Sequence, residues 1–274
     1  MNLEGYLSRI GFKGTPRADL NTLRALHRAH AETIPYENLD VQLRTPVTRA
    51  APDVYDKIVR RGRGGWCYEM NGLLSWALTE IGFDVRRLAG AVHRETMGDS
   101  SIGNHLVILV DVEDQTWLAD VGFGDGLIEP TPLAEGGFDV GPLRCSLSRI
   151  QDGWWRYSND PAGGAPSFDF HPDVDDEALL EGGCNFLQSD PASPFVQNAV
   201  VQRWRDGAHY SMRGRVLTKL TRVGKEGELI PDAPAYVEAL RDVFGLNLPE
   251  AAALWPRILA RHEEVVQSQT EGGN

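Results

Sequence analysis

The chain has 274 residues, of which 42% are hydrophobic and 24% charged, a composition that is ordinary for a globular protein with a sizeable core. Acidic residues outnumber basic ones by 39 to 27, and the net charge of -12 disfavours non-specific binding to nucleic acids and to anionic membranes. A chain of this length more often forms two or three packed sub-domains than a single core.

The opening segment and the cysteines both favour a cytoplasmic protein. The first twenty residues have no apolar run of the kind that signal peptides contain, and no later apolar stretch is long enough to span a bilayer. The cysteines, Cys67, Cys145 and Cys184, lack the spacing of a disulfide framework or of a zinc knuckle. We expect reduced thiols, no metal and no permanently bound cofactor.

The hydrophobic pattern changes from helical to β-rich and back along the chain. Residues 1–83 are predicted to be mostly helical, because residues such as Leu20, Leu23 and His27 recur at spacings of three and four. Short apolar runs over residues 85–147 predict a small barrel or a curled sheet. Later segments are predicted as long loops over 153–193, strands over 199–221, and helices over 234–243 and 249–266. A kink or interruption is expected at Pro256, and a frayed tail over 267–274.

The most informative stretch is RGGWCYEMN at residues 63–71, because its two glycines allow a close approach and a helix follows at once. Apolar residues recur on one face of this helix up to Ile81, and Gly82 supplies its stop. Cys67 then lies in the first turn, on the inward face, where backbone N–H groups favour a thiolate and can bind an oxyanion. The alternative is that Cys67 is a small core residue, as cysteines often are.

A reactive thiol needs a base, and His105 is the best placed of the seven histidines. It opens a strand that meets the next one across an acidic turn, so the two segments are predicted to form a β-hairpin. With Glu113 and Asp114 as the turn, Asp120 lies on the same face as His105 and can orient the imidazole. Together with Cys67 they have the geometry of nucleophilic catalysis. A shift of one residue in the hairpin register would turn Asp120 to the opposite face. Taken singly, His105 and Asp120 could each be an ordinary strand-end residue that hydrogen-bonds to a neighbour.

Two further features are compatible with a substrate site. The glycine-rich loop after Asp120, VGFGDG, has N–H groups that could line a phosphate, although a plain turn is the alternative. Tyr36, Phe123 and Phe195 are candidate walls for a flat aromatic substrate, although aromatic side chains usually serve packing.

Four blocks of the sequence resemble the arylamine N-acetyltransferases in order and spacing, and the resemblance extends over the whole chain. The blocks are IPYENL at 34–39, RGGWCYEMN at 63–71, NH at 104–105 and DVGFG at 120–124. The resemblance implies an α+β fold with an N-terminal helical bundle in residues 1–84, a central β-barrel in 85–190 and a C-terminal α/β lid in 191–274. It also implies a cysteine-protease-like Cys-His-Asp triad at their junction.

The activity implied by the resemblance is ping-pong acyl transfer in xenobiotic metabolism. Cys67 would take acetyl from acetyl-CoA, and the nitrogen of an arylamine or arylhydrazine would then attack the thioester. His105 would handle protons, and Asp120 would fix its tautomer. The partners would be these small molecules, with no nucleic acid and no membrane, and a homodimer is possible.

The resemblance also assigns individual positions. It implies coenzyme contacts at Asn104, Phe123, Gly124 and Gly126, an acceptor pocket bordered by Tyr36, Val92, Phe123 and Phe195, and a bracing ion pair between Arg63 and Glu37. Two positions depart from the family pattern, because Asn104 replaces a residue that is often a hydroxyl residue and Tyr36 replaces one that is more often Phe. These departures concern coenzyme contacts and acceptor preference rather than the chemistry of the triad.

Three other functions are compatible with parts of this pattern. An amide synthase of antibiotic biosynthesis uses the same triad to close a macrolactam from a carrier-bound acyl chain. A thiol hydrolase of related architecture would release acetate freely. A non-catalytic binding protein on the same fold would have an unreactive Cys67.

Overall fold

Helices occupy most of the first 83 residues in the computed structural model, which describes residues 1–271. They are α1 (Leu3–Ile10), α2 (Leu20–Thr33), α3 (Leu39–Gln42), α4 (Ala51–Tyr55) and α5 (Cys67–Ile81), with a π-helical turn (Asp56–Arg60) and a short strand β1 (Tyr36–Glu37) between them. Their apolar faces pack around Tyr6, Leu26 and Leu74, together with Ile108 from the following sheet. The helical opening segment predicted from the sequence is confirmed.

Capping residues are present at the start of α2 and at the end of α5. Asp19 caps α2 by accepting a hydrogen bond from the backbone N–H of Thr22 at 2.8 Å. Gly82 ends α5 with a φ of 104°, a conformation that favours glycine. Cys67 is the first residue of α5, so the predicted place of the thiol in the first helical turn is confirmed.

A curled eight-stranded sheet forms the middle of the chain. Its strands are β2 (Asp84–Val92), β3 (His105–Val112), β4 (Gln115–Leu118), β5 (Thr131–Pro132), β6 (Gly136–Val140), β7 (Leu143–Arg149), β8 (Trp155–Ser158) and β9 (Ser167–Phe170). The order across the sheet is β5-β4-β3-β2-β9-β8-β7-β6, and neighbouring strands run antiparallel. Within residues 1–271 the sheet does not close on itself, so the predicted barrel is a half-barrel with β5 and β6 at its edges.

The last part of the chain adds a second sheet and further helices. The strands β10 (Val200–Arg205), β11 (Ala208–Arg213), β12 (Val216–Thr221) and β13 (Gly224–Leu229) extend β1 into a five-stranded antiparallel sheet. The remaining helices are α6 (Arg94–Met97), α7 (Glu177–Ser189), α8 (Pro194–Gln197), α9 (Ala233–Asp242) and α10 (Trp255–Glu271). Because β1 pairs with β10, the first and last parts of the chain share one sheet. The division at residues 84 and 190 stays a prediction.

The segment predicted as long loops, residues 153–193, differs most from the expectation. It contains β8, β9 and the 13-residue helix α7. Its Gly, Pro and Asp residues weaken the local preference for strand or helix. Tyr157, Phe168 and Phe170 are nevertheless buried in the core of the half-barrel, and this tertiary burial overrides the local propensity. Asp176 also caps α7 by accepting a hydrogen bond from the N–H of Ala178 at 2.8 Å.

The C-terminal expectations are partly confirmed. A 3₁₀ turn (Pro249–Leu254) precedes α10, and Pro256 lies in the first turn of that helix, where its missing N–H has no helical partner to lose. The predicted frayed tail is wrong for residues 267–271, which continue α10, and residues 272–274 lie outside the described part of the chain. In residues 1–271, no helix combines the length and the apolar character that crossing a bilayer requires.

The β3–β4 hairpin has the register that the sequence predicts. Val112 pairs with Gln115 and Val110 with Trp117, so Glu113 and Asp114 are the two turn residues. Both have positive φ, 53° and 59°, which is typical of the type I′ turns that match the twist of a hairpin.

This turn leads to a first prediction. Asp114→Gly should raise the free energy of unfolding by about 0.5 kcal/mol, because glycine adopts a positive φ without steric cost. The matched substitution Asp84→Gly, in the strand β2, should lower it, since glycine weakens a strand. Urea denaturation of both variants measures the difference, and a loss of stability in Asp114→Gly would contradict the predicted role of the turn.

Candidate active site

Cys67 lies against the loop that follows β4, in the wall of a cavity of about 1040 Å³. Its side chain is almost fully buried, and it is the first residue of α5. The approach of the loop is close, because a Cβ added at Gly122 would lie 2.8 Å from the Cα of Cys67 and 2.7 Å from Nδ2 of Asn71. Glycine at position 122 therefore lets the loop backbone pass directly over the first turn of α5.

His105 and Asp120 are joined by a buried hydrogen bond. His105 Nε2 lies 2.7 Å from Asp120 Oδ2, and the two side chains are 2% and 1% exposed. The other carboxylate oxygen, Oδ1, accepts the backbone N–H of Gly122 at 2.8 Å. Both oxygens of Asp120 therefore have donors, and the carboxylate links the imidazole to the loop over Cys67.

The electrostatics of His105 favour a protonated ring. Burial lowers its pKa, but the charge of Asp120, the hydrogen bond to that carboxylate and the neighbouring Cys67 thiol raise it to about 10. The rings of Phe123 and Phe168 pack beside the imidazole, at centroid distances of 5.8 Å and 4.9 Å. The structure thus brings all three residues of the predicted Cys-His-Asp set together in one buried cluster.

Asn71 is a site residue that the sequence analysis missed. It lies one turn after Cys67 on α5, where its Nδ2 donates to the carbonyl of Leu106 at 2.6 Å. Its Oδ1 accepts the N–H of Val121 at 2.8 Å. One side chain therefore ties α5 to β3, next to His105, and to the loop next to Asp120. The spacing of four residues from Cys67 on a helix could have indicated it.

A buried cluster of charges supports the segment before Cys67. Arg63 contacts Glu37 and Asp40, each at 2.8 Å, and Lys57 contacts Asp40 at 2.8 Å and Glu69 at 2.9 Å. The five side chains are each 9% exposed or less. The sequence analysis found the Arg63–Glu37 pair through the family resemblance and missed the other members. Glu69 had a detectable signal, because it stands three residues after Trp66 and accepts that residue's N–H at 3.2 Å, as in a capping box.

Most of the predicted substrate and coenzyme positions line the cavity. They are Tyr36, Val92, Asn104, Phe123 and Phe195. The amide of Asn104 is held by the backbone of Val92, accepting its N–H at 2.7 Å and donating to its carbonyl at 3.0 Å.

Gly124 and Gly126 are placed differently. Within the described residues they are not among those that line the cavity, and they pack instead against β10. A Cβ at Gly124 would lie 2.5 Å from Gln202 Nε2, and the carbonyl of Gly126 accepts the indole N–H of Trp204 at 3.2 Å. A Cβ at Gly126 would lie 2.9 Å from the Cβ of Phe123, so close packing accounts for both glycines.

Comparison with known proteins identifies the family. The family model described as N-acetyltransferase matches residues 19–253. An arylamine N-acetyltransferase of Mycolicibacterium smegmatis is 36% identical over 264 residues, covering 92% of this chain and 94% of the relative. The chain belongs to the arylamine N-acetyltransferase family. It is therefore an enzyme, of the transferase class.

Solved structures of this family have the same fold. An arylamine N-acetyltransferase of M. smegmatis superposes with a TM-score of 0.85 at 35% identity, covering 94% of this chain and 97% of the other. That of Mycobacterium marinum in complex with CoA has a TM-score of 0.83 at 32% identity, covering 95% and 98%. The half-barrel and the helical opening segment are thus features of the arylamine N-acetyltransferase fold.

The charge cluster allows a stability prediction. Arg63→Gln should lower the free energy of unfolding by about 3 kcal/mol, because it removes one cation and leaves Glu37 buried without its ion pair. The matched control is Arg61→Gln, since Arg61 is 54% exposed and contacts Asp56 at 3.1 Å. The control should change stability by less than about 0.5 kcal/mol. Equal losses in the two variants, measured by urea denaturation, would contradict a bracing role for the buried pair.

The raised pKa of His105 allows a prediction for pH dependence. A protonated His105 stabilises the fold fully below its unfolded pKa of 6.5, and this contribution is lost as the pH rises towards the folded pKa of about 10. The free energy of unfolding should therefore fall between pH 6.5 and 10 more steeply in the wild type than in His105→Gln. Parallel curves for the two proteins would show that the ring is not protonated in the folded state.

Proposed function

We propose that this enzyme transfers an acetyl group from acetyl-CoA to the nitrogen of an arylamine or arylhydrazine, through a thioester on Cys67. The observation that carries the proposal is the burial of Cys67 in the first turn of α5, in the lining of the same cavity as a His105 ring that Asp120 holds at 2.7 Å. Membership of the arylamine N-acetyltransferase family supports the choice of reaction. The relative from M. marinum that was solved in complex with CoA supports the choice of donor.

In the first half-reaction, the thiolate of Cys67 attacks the carbonyl carbon of acetyl-CoA. The protonated His105 provides a counter-charge for the attacking thiolate. The oxyanion of the tetrahedral intermediate lies near the backbone N–H groups of the first turn of α5, which have no intrahelical acceptor. When the intermediate collapses, the bond to the coenzyme sulfur breaks, and that sulfur takes the proton from His105. Acetyl remains on Cys67.

In the second half-reaction, the nitrogen of the acceptor attacks the thioester carbon. His105, now neutral, accepts the proton that the nitrogen loses, and Cys67 leaves as a thiolate. Because Nε2 of His105 is hydrogen-bonded to Asp120, Nδ1 is the ring nitrogen that exchanges protons with the coenzyme sulfur and with the acceptor nitrogen. Asp120 holds this tautomer and orientation through both half-reactions.

The cavity walls are suited to an aromatic acceptor. Tyr36 and Phe195 lie with their ring centroids 6.5 Å apart, and Phe123 packs beside the His105 ring. Flat apolar walls next to the thioester favour an aryl ring as the acceptor. The predicted cytoplasmic location and the possible homodimer remain predictions.

The thioester is the most direct test of this proposal. Mixing the protein with acetyl-CoA in the absence of an amine should give a single acetyl adduct, which intact mass and peptide mapping should place on Cys67. Cys145→Ser and Cys184→Ser are matched controls that should retain the adduct, because these two thiols accept hydrogen bonds from Tyr157 and Gln188 and have no base beside them among the described residues. Asp120→Asn should slow transfer by about 10³- to 10⁴-fold, since the carboxylate fixes the tautomer.

Three outcomes would contradict the proposal in different ways. Full turnover in Cys67→Ala would exclude the thioester. Release of acetate as fast without an amine as with one would favour a hydrolase. Transfer from a carrier-bound acyl chain, with no adduct from acetyl-CoA, would favour an amide synthase.

A further inference from the structure

The backbone ladder between β2 and β3 ends at His105. The last paired residues are Gly90 and His105, and the N–H of Gly103 still donates to the carbonyl of Gly90 at 2.9 Å. Beyond Gly90, β2 continues to Val92 and pairs along its other edge with β9, where Val92 lies opposite Phe168. On the edge that faces β3, the N–H and the carbonyl of Val92 are therefore left for a side chain to pair.

The side chain of Asn104 pairs with Val92 in place of the backbone. Its Oδ1 accepts the N–H of Val92 at 2.7 Å, and its Nδ2 donates to the carbonyl of Val92 at 3.0 Å. In an antiparallel ladder, two residues of a hydrogen-bonded pair exchange both bonds in the same way. An amide is suited to this pattern because it carries a donor and an acceptor side by side. The connection between β2 and β3 is thereby extended from Gly90 to Val92.

Asn104 also lies beside both members of the Cys-His pair. It directly precedes His105, and its carbonyl oxygen lies 4.0 Å from Sγ of Cys67. On the other side of His105, the carbonyl of Leu106 accepts a hydrogen bond from Nδ2 of Asn71 at 2.6 Å. An asparagine amide thus ties the backbone on each side of His105. A shift of Asn104 would displace both the imidazole and the oxygen next to the sulfur.

The pairing of Asn104 with Val92 also closes the base of the loop between β2 and β3, residues 93–103. Most of this loop is exposed, although Met97 and Ile102 contribute to the cavity lining. A segment with little buried apolar surface opens easily unless other contacts hold it. The pair at its base is one such contact. A second lies further out, where the guanidinium of Arg94 is 3.9 Å from the centre of the Trp154 ring.

We propose that Asn104 is a positioning residue, whose pairing with Val92 aligns His105 and Cys67 for acyl transfer and holds residues 93–103 as a wall of the cavity. This inference rests on the proposed transfer through Cys67. It differs from the coenzyme contact that the resemblance implies for Asn104, because Val92 already engages the acceptor and one donor of the amide. Alignment matters here, since a displacement of about 1 Å at a reacting group can slow a reaction by about 100-fold.

Amide hydrogen exchange tests the pairing without any catalysis. In Asn104→Ala the N–H of Val92 should exchange about tenfold faster than in the wild type, because it loses its acceptor. Exchange should also increase over residues 93–103. The N–H of Leu109, which lies in the paired part of the ladder opposite Arg86, should exchange at the wild-type rate and so report an intact fold.

Two acetyl donors separate positioning from coenzyme binding. Acetyl-CoA and 4-nitrophenyl acetate, an activated ester without a nucleotide, should both acetylate Cys67. Asn104→Ala should slow the two reactions by a similar factor of about tenfold, because both require the same alignment of Cys67 and His105. The affinity for coenzyme A, measured by isothermal titration, should change by less than about twofold.

Asn185→Ala is the matched control, because it removes the same side chain from an exposed position. Asn185 lies on α7, outside the cavity lining in the described part of the chain, and its amide donates to Glu181 at 3.4 Å. The control should leave the exchange of Val92 and both acetylation rates at their wild-type values. Equal losses in the two variants would attribute the effect to general destabilisation and would overturn the proposal.

Other results would overturn the assignment as well. A loss confined to acetyl-CoA, with weaker binding of coenzyme A, would make Asn104 a coenzyme contact. Faster exchange at Val92 with both acetylation rates unchanged would leave the pair a purely structural role, and slower acetylation with unchanged exchange would exclude the pair as its cause. A wild type that forms no adduct on Cys67 with either donor would instead refute the proposed reaction, which the exchange of Val92 does not involve.

Discussion

The hydrogen bond between His105 Nε2 and Asp120 Oδ2 joins two segments that do not pair through their backbones at that point. His105 opens β3, whereas Asp120 lies beyond the end of β4, in the loop that crosses Cys67. In water such a bond would contribute little, but both side chains are almost completely buried, and there a carboxylate strongly favours the protonated imidazole. The other oxygen of Asp120 holds Gly122, so the same carboxylate sets the position of the ring and of the loop.

The arrangement around this bond is maintained by buried polar groups rather than by apolar packing alone. Asn71 connects α5 to both β3 and the loop, and the cluster of Lys57, Arg63, Glu37, Asp40 and Glu69 supports the chain that leads into α5. Burial raises the pKa of Glu69, and the nearby Lys57 opposes this shift. Such networks add little to stability compared with a well-packed apolar core, but they define one geometry, since each member has few alternative partners.

Charge is distributed unevenly in this enzyme. The acidic surplus of the chain lies largely outside the cavity, whereas the cavity lining carries most of its charge as arginine. The net charge of the chain therefore repels polyanions in general, whereas the charged side chains in the cavity lining are mainly basic.

The sequence by itself determined the features that depend on near neighbours. The start of α5 at Cys67, its stop at Gly82, and the turn of Glu113 and Asp114 all follow from residues a few positions apart, and the blocks around Cys67, His105 and Asp120 were enough to indicate the family. Local signals failed where burial was supplied by distant residues, as in β8, β9 and α7. Only the tertiary structure decided that Gly124 packs against β10, that Lys57 reaches Glu69, and that arginines from β11 and α10 face one cavity. These relations join residues between 12 and 78 positions apart, as with Lys57 and Glu69 or Gly124 and Gln202, and they depend on how the two sheets curve and pack. No periodicity in the sequence encodes such distances, because many registers and packings satisfy the same local pattern.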